Sequence, residues 1–561
     1  MRLPVAASVL IACSLAVCTP ALSRDKPVAE EASPEAMTEG PPALVVAISV
    51  DQFSADLFAQ YRNNFTGGLA RLQKGAVFPS GFQGHAATET CPGHSTLLTG
   101  ARPSRTGIIA NNWFDPGLKR AEKRVYCAED ERDPASSPRK PVVSPWHLKV
   151  PTLGERLKQA NPASLNVAVS AKDRAVMMMG GHTIDAAYWW LDGAFATFAG
   201  HELSAATKAQ NNAAAAEIKA GAKAFAVPAW CGSRDRAVQV GDFTIGTGHF
   251  PLEPGKADAF RISPRMDAVT VDLAVRLLDE LPLGKDDVAD VLSVSLSATD
   301  YVGHAYGTEG AEMCIQLAEL DKAVGRLLAE LDKRGIDYVV VLTADHGGLD
   351  APERLVEQAY PGAARADSDL TSEALSEEIT GKTGVSAVSG PLLYGDGAGG
   401  DIYVSASLNS EQKARVSSAL VALLKDHPQV AAVFTAQELA EAPLPSGSPQ
   451  DWTLKDRARA SFYPGRSGDV IVLLDRAVVP IPKPNPGYTA THGSPWDYDR
   501  RVPILFWRRG MAGFEQPAPV ETVDIAPTLA ALLNLAVPDG AFDGRCLDID
   551  GSAANTCEGG D

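Results

Sequence analysis

The sequence has no Cys-x-x-Cys pair, no EF-hand loop, no solenoid-type repeat and no long apolar run after its first two dozen residues. Without Cys-x-x-Cys, zinc binding through cysteine thiolates is not expected. Without an EF-hand loop that form of calcium site is excluded, while an additional Ca2+ bound elsewhere is left open. No later run is long enough for a bilayer, so no transmembrane segment is expected. Positive charge is also scarce: 51 Lys and Arg against 69 Asp and Glu give a formal net charge of −18. A nucleic-acid surface normally needs a basic patch, so nucleic acid is excluded as a binding partner. A small anionic substrate is not excluded, because bound metals can reverse the field locally.

What is present is 561 residues with 45% hydrophobic content and a mean hydropathy of −0.06, which fits a soluble globular chain. Met1-Arg2, the apolar stretch through Val17 and Ala21-Leu22-Ser23 read as a secretory signal with small residues at its cleavage site. A lipoprotein anchored at Cys18 is the rival, and Val17 is a poor residue before a lipidated cysteine. The expected divisions are a signal peptide at 1–23, a flexible lead-in at 24–42, a catalytic domain at 43–545 and a tail at 546–561. Two insertions are expected within the domain, at about 181–259 and 351–486, where the strand–helix rhythm fades. Export to the periplasm or the medium follows. Removing the signal takes away Cys13 and Cys18 and leaves six cysteines for an oxidising compartment. Of the fifteen possible pairings, the expected set is Cys91–Cys127, Cys231–Cys314 and Cys546–Cys557.

Five stretches carry chemistry at or next to an apolar run of strand type. Ala43–Val50 runs into Asp51, Leu165–Ala171 into Lys172 with Arg174 beyond, and Val291–Thr299 into Asp300 with His304 beyond. Tyr338–Ala344 runs into Asp345-His346-Gly347-Gly348, and His492 precedes the run Val502–Trp507. Near-continuous Val, Ile and Leu indicate strands buried on both faces, hence a mostly parallel sheet flanked by helices. In such α/β sheets functional residues gather beyond the carboxyl ends of the strands. A sixth stretch, Thr90-Cys91-Pro92-Gly93-His94, predicts a short helix with Thr90 as its N-cap, placing a hydroxyl at the positive end of the helix.

Asp51, Asp300, His304, Asp345, His346 and His492 make three carboxylates and three imidazoles. That composition suits zinc in open catalytic sites, and six ligands suit two ions better than one. Taken singly, each residue has an ordinary reading as a cap, a turn or a packed histidine. Their joint occurrence at strand ends is what points to a metal centre.

The order Asp51, Thr90, Asp300-x-x-x-His304, Asp345-His346-Gly347, Thr491-His492-Gly493 resembles the alkaline phosphatase superfamily. It resembles most closely the bacterial PhoK/PafA-type alkaline phosphatases, which use a threonine nucleophile on a core like that of type I phosphodiesterases and nucleotide pyrophosphatases. The resemblance covers Ala43 to about Asn534 and implies an alkaline-phosphatase-like α/β fold with capping insertions. It further implies two Zn2+ per chain. Asp51, Asp345 and His346 would hold the ion at the Thr90 oxygen; Asp300, His304 and His492 would hold the second. Asn111, Lys172 and Arg174 match the family's phosphate-binding residues. The implied activity is hydrolysis of small phosphate monoesters through a phosphothreonine at Thr90, by a chain expected to be a monomer. One alternative is a phosphodiesterase or nucleotide pyrophosphatase of the same superfamily, though a diester needs no Lys-x-Arg pair. The other is an exported metal-binding protein without turnover, which would leave Thr90, Lys172 and Arg174 unexplained. A sulfatase is disfavoured, because Pro92 follows Cys91 directly where the Cys-x-Pro-x-Arg motif is required.

Overall fold

The computed structural model describes residues 40–358, 360–552 and 555–557. The expected signal peptide at 1–23 and all but the last residues of the lead-in lie outside them, as does part of the tail.

Leu44–Val50 is buried at every position and runs parallel to Asp290–Leu296 on one side and Tyr338–Thr343 on the other. Asn166–Ser170 continues the parallel order beside Asp290–Leu296, and Ala186–Leu191 follows it. With helices on both faces, these strands have no solvent side, so their sequences show continuous rather than alternating apolar character. Beyond Tyr338–Thr343 the direction changes. Arg501–Arg508 is antiparallel to it and to Ala76–Phe82, and three short strands complete a ten-stranded sheet. The helix Ala311–Lys333 buries Ile315, Leu320, Val324, Leu327, Leu328 and Leu331. It stops before Gly335, whose φ of +66° suits glycine.

Three sequence readings change in the structure. The run from about Phe58 to Lys74 reads in the sequence as one helix, and it forms Ala55–Tyr61, a turn of 3-10 helix and Gly68–Leu72. Between them the amides of Thr66, Gly67 and Leu69 donate to the Asp321 carboxylate at 2.8, 2.6 and 2.8 Å. Gly68 there lies so close to the long helix that a Cβ would sit 2.3 Å from the Gly325 nitrogen. Second, not all of 181–259 stands apart from the core. Ala186–Leu191 and Ala194–Ala196 are edge strands of the central sheet, and Ala205–Ala220 is a helix docked on Arg265–Glu280. That helix buries only Thr207, Gln210, Ala214 and Ile218, which is why its apolar periodicity is faint. Third, Thr90 is the first helical residue of Thr90–Leu97 and Glu89 is the N-cap.

The 351–486 segment forms a four-stranded antiparallel sheet of Leu393–Tyr394, Gly400–Val404, Val470–Leu474 and Val430–Thr435. It has an apolar cluster of its own around Ile379, Val416, Leu420 and Val470.

The structure joins Cys91 to Cys127, Cys231 to Cys314 and Cys546 to Cys557, with Cα–Cα distances of 6.5, 6.3 and 5.8 Å. Cys231–Cys314 ties the Ala229–Arg234 turn to the long helix across 83 residues of chain. Removing a link of that span by Cys231→Ala/Cys314→Ala should lower stability by about 2–4 kcal/mol. Thermal unfolding of the oxidised protein checks this, and a midpoint unchanged from wild type would refute it.

Candidate active site

The parallel strands deliver Asp51, Asp300 and Asp345 to one edge of the sheet. Asp51 follows Leu44–Val50 directly, Asp300 lies in the helix after Asp290–Leu296, and Asp345 lies two residues past Tyr338–Thr343. His492 reaches the same edge because Arg501–Arg508 runs antiparallel, so the chain entering that strand lies where the other strands end. Lys172 and Arg174 alternate on paper and would point apart in a strand. The strand ends at Ser170 and a helix begins at Asp173, so the turn brings both cations to one point. That point is Thr90, whose Oγ1 lies 3.3 Å from Lys172 Nζ and 3.4 Å from Arg174 Nη2.

The Thr90 helix is pinned at its start. The Asn111 side-chain oxygen accepts from the Cys91 amide at 2.8 Å, and the Asn111 amide donates to the Glu89 carboxylate at 2.7 Å. The Cys91–Cys127 bridge ties the same helix to the residues that follow Asn111, since the Cys127 amide donates to the Asn111 carbonyl at 2.9 Å. Asn111 spends its oxygen on the helix and keeps its side-chain amine as a donor.

The ligand atoms face one another. Asp51, Asp345 and His346 form one group whose donor atoms lie within 4.8 Å of each other, and Asp300, His346 and His492 form a second. His346 Nε2 lies 3.4 Å from Asp51 Oδ1 and 3.3 Å from Asp345 Oδ2. Asp300 Oδ1 lies 3.3 Å from both His304 Nε2 and His492 Nε2. A tetrahedron with metal–ligand bonds of about 2.0 Å has edges of about 3.3 Å. The His346 and His492 rings stack with centroids 3.6 Å apart, which sets the two groups side by side.

Three observations show that this donor set fits a pair of divalent cations. The Nδ1 atoms of His304, His346 and His492 each lie 2.8–2.9 Å from a backbone carbonyl, so each carries its hydrogen there and turns a lone pair out at Nε2. Burial pushes the pKa of His346 well down and lowers that of His492, keeping both rings neutral. Asp51 Oδ1, Asp300 Oδ1 and His346 Nε2 are buried without a hydrogen-bond partner. Burial, then repulsion from Asp300 and Asp345, drives Asp51 well above the usual carboxylate range. Lys172 answers part of this charge, contacting Asp51 Oδ2 and lying 2.5 Å from Asp300 Oδ2. A third cluster, Asp367, Asp369 and His427, fails the same test. The His427 Nδ1 accepts from the Gln429 amide at 3.2 Å, so its Nε2 carries a hydrogen toward the aspartates and offers no lone pair.

Three residues that the sequence reading did not single out hold this geometry. His94, one turn after Thr90 and fully buried, sets Nδ1 2.9 Å from the Thr90 carbonyl and 3.0 Å from Asp345 Oδ2. Glu89 positions Asn111, and burial raises its carboxyl to about 7. Gln52 adopts a φ of +63° directly after Asp51, and its amide donates to Asp345 Oδ1 at 3.2 Å. Its side chain wedges between two ligand segments, where a Cβ at Gly303 would meet Gln52 Oε1 at 1.6 Å and one at Gly348 would meet Gln52 Cγ at 2.8 Å. A non-glycine residue with left-handed φ beside a ligand cannot be read from the sequence; the Thr90-x-x-x-His94 spacing was the one available signal.

The type I phosphodiesterase / nucleotide pyrophosphatase family matches residues 45–495. The chain is 54% identical over 523 residues to alkaline phosphatase PhoK of a Sphingomonas species, covering 92% of this chain and 93% of that one. It is 50% identical over 517 residues to alkaline phosphatase PhoD of Zymomonas mobilis, covering 92% and 89%. Among solved structures, the crystal structure of wild-type alkaline phosphatase PafA is similar with a TM-score of 0.80 and 26% identity, covering 91% of this chain and 99% of that one.

The Thr90 helix lies directly against the Asp345 backbone at Gly93, where a Cβ would stand 2.0 Å from the Asp345 carbonyl oxygen. Backbone cannot rotate aside as a side chain can, so Gly93→Ala should cost about 1–3 kcal/mol and weaken metal uptake at Asp51, Asp345 and His346. Thermal unfolding and metal titration of the purified variant check this. Wild-type values for both would show that the contact is dispensable.

Proposed function

The chain belongs to the type I phosphodiesterase / nucleotide pyrophosphatase family, and on that footing we propose that it is an alkaline phosphatase, a phosphoric monoester hydrolase that uses Thr90 as nucleophile. The reading rests on one observation above the others: two cations, Lys172 and Arg174, converge on the hydroxyl of Thr90 beside the six-ligand cluster. The rival reading, a diester-cleaving enzyme, draws on the phosphodiesterases that give the family its name. A diester has one fewer non-bridging charge and gives a paired lysine and arginine less to bind.

Thr90 Oγ gives its proton to solvent and attacks phosphorus in line, the phosphorus–alcohol bond breaks, and the alcohol leaves with a proton from solvent. Phosphothreonine is then opened by water, releasing phosphate and restoring the hydroxyl. Lys172, Arg174 and the Asn111 side-chain amine hold the non-bridging oxygens through both steps, and His94 and Gln52 keep the carboxylates in register. Asp51, Asp345 and His346 would hold one Zn2+, and Asp300, His304 and His492 a second. When bound, such a pair lowers the pKa of the attacking oxygens and stabilises charge on the leaving oxygen. The reading includes export to the periplasm or medium through the 1–23 segment, which three disulfides suit, and action as a monomer. Among the described residues no helix is long and apolar enough to cross a membrane.

Activity should disappear with a strong chelator and return with zinc, and should peak at alkaline pH, since the attacking oxygens must be deprotonated. Full activity in metal-stripped protein, or a rate that peaks below neutrality, would overturn the reading.

Removing both cations separates monoester from diester chemistry. Hydrogen bonds to charged groups are worth about 1.5–3 kcal/mol each. Lys172→Ala/Arg174→Ala should therefore lower kcat/KM on an aryl phosphate monoester on the order of a hundredfold or more, and on its methyl diester much less. Thr90→Ala should abolish turnover of both. Equal losses in the double variant, or a wild-type preference for the diester, would move the protein to the phosphodiesterase side.

A further inference from the structure

A cleft of about 930 Å³, partly open to solvent, separates the catalytic edge of the sheet from the 351–486 segment. Its inner wall is built by the direct neighbours of three catalytic residues. Ala87 and Glu89 lead into Thr90, Ala110 and Asn112 flank Asn111, and Gly493–Pro495 follow His492. The outer wall belongs to the 351–486 segment and presents an apolar surface of Tyr403, Phe462 and the strand residues Ile471–Leu474 beside two carboxylates, Asp396 and Asp401. No lysine, arginine or histidine lines the cleft; its only charged side chains are Glu89, Asp396 and Asp401. Two of these carboxylates are fixed by backbone amides, Glu89 by Asn111 at 2.7 Å and Asp401 by Gly468 at 2.6 Å. Asp396 pairs with Arg124 at 3.0 Å. The cations that meet phosphate, Lys172 and Arg174, are gathered at Thr90 instead.

Resting on the phosphatase reading above, we propose that this cleft is the subsite for the alcohol half of the substrate, and that it selects uncharged apolar or aromatic alcohols while disfavouring anionic ones. The apolar walls gain by covering hydrocarbon. A leaving group with its own carboxylate or phosphate would meet Glu89, Asp396 and Asp401 in a space whose neighbouring cation, Arg124, already pairs with Asp396. Nucleoside diphosphates and pyrophosphate are thereby poor leaving groups for this enzyme, and phenols and alkanols are good ones.

The test uses pairs of substrates matched in leaving-group reactivity. Hexyl phosphate should exceed methyl phosphate in kcat/KM by about tenfold or more, and 4-carbamoylphenyl phosphate should exceed 4-carboxyphenyl phosphate. Ala458→Phe places a ring in the cleft from the helix Leu454–Ser461. It should bring the hexyl-to-methyl ratio to near unity. Asp396→Lys, on an exposed turn, guards against a misfolded Ala458→Phe protein and should raise the 4-carboxyphenyl rate relative to the carbamoyl one. Wild-type ratios near unity, or equal losses on hexyl and methyl phosphate in a folded Ala458→Phe protein, would overturn the subsite and leave the phosphatase reading standing. An Asp396→Lys protein with the wild-type carboxy-to-carbamoyl ratio would overturn the charge selection. Failure to hydrolyse any of the four esters would remove both the phosphatase reading and the subsite built on it.

Discussion

The site depends on the repulsion among Asp51, Asp300 and Asp345. The ends of three hydrogen-bonded parallel strands press them together, and no side chain could turn one of them into solvent without leaving a buried position. Adjacent strands lie about 4.8 Å apart, so the spacing of the charges follows from the sheet rather than from loops. Such a cluster is stable only if positive charge is delivered to it. Lys172 answers part of the demand, and the lone pairs of His304, His346 and His492 are aimed where cations would answer the rest. The sheet thus stores an unmet electrostatic demand at the place where a phosphate must bind.

Much of this was legible in the sequence, for a physical reason. A strand buried on both faces must be apolar along its length, so a carboxylate at or just past its end stands out, as Asp51, Asp300 and Asp345 do, whereas Thr90 stood out at the start of a short helix. Lys172 and Arg174 were harder. Read as strand they face apart, and only the helix beginning at Asp173 brings them together. His492 was legible as part of a motif, whereas its arrival at the same edge depends on the reversed direction of Arg501–Arg508. Glu89 and Gln52 stayed hidden because their roles are defined by contacts and backbone angles. The contact of Gln52 with Asp345 spans 293 residues of chain, and no local pattern encodes it. The helix break at 62–67 was missed for the same reason, since Asp321, which accepts from the amides there, lies 252–255 residues away in the chain.

The two expected insertions proved different in kind. Residues 186–220 extend the central sheet and its helical layer, and the helix Ala205–Ala220 buries Thr207, Gln210 and Ala214 beside Ile218. The 351–486 segment has its own sheet and apolar cluster and faces the catalytic edge across a cleft. The core places the charges, and the added sheet decides what else can stand beside them.

The order of the chain has a consequence of its own. Asp51 comes from the first strand, while His492 precedes Arg501–Arg508, a strand that lies between Tyr338–Thr343 and Ala76–Phe82. The sheet therefore keeps an open slot between two early segments until nearly the whole polypeptide has been made. A truncated translation product lacks both the ligand at 492 and the strand that closes the sheet, and a cut that releases the C-terminal segment removes both again. The molecule is built so that catalytic competence and completeness of synthesis arrive together, and fragments shed during turnover of the protein carry no residual site.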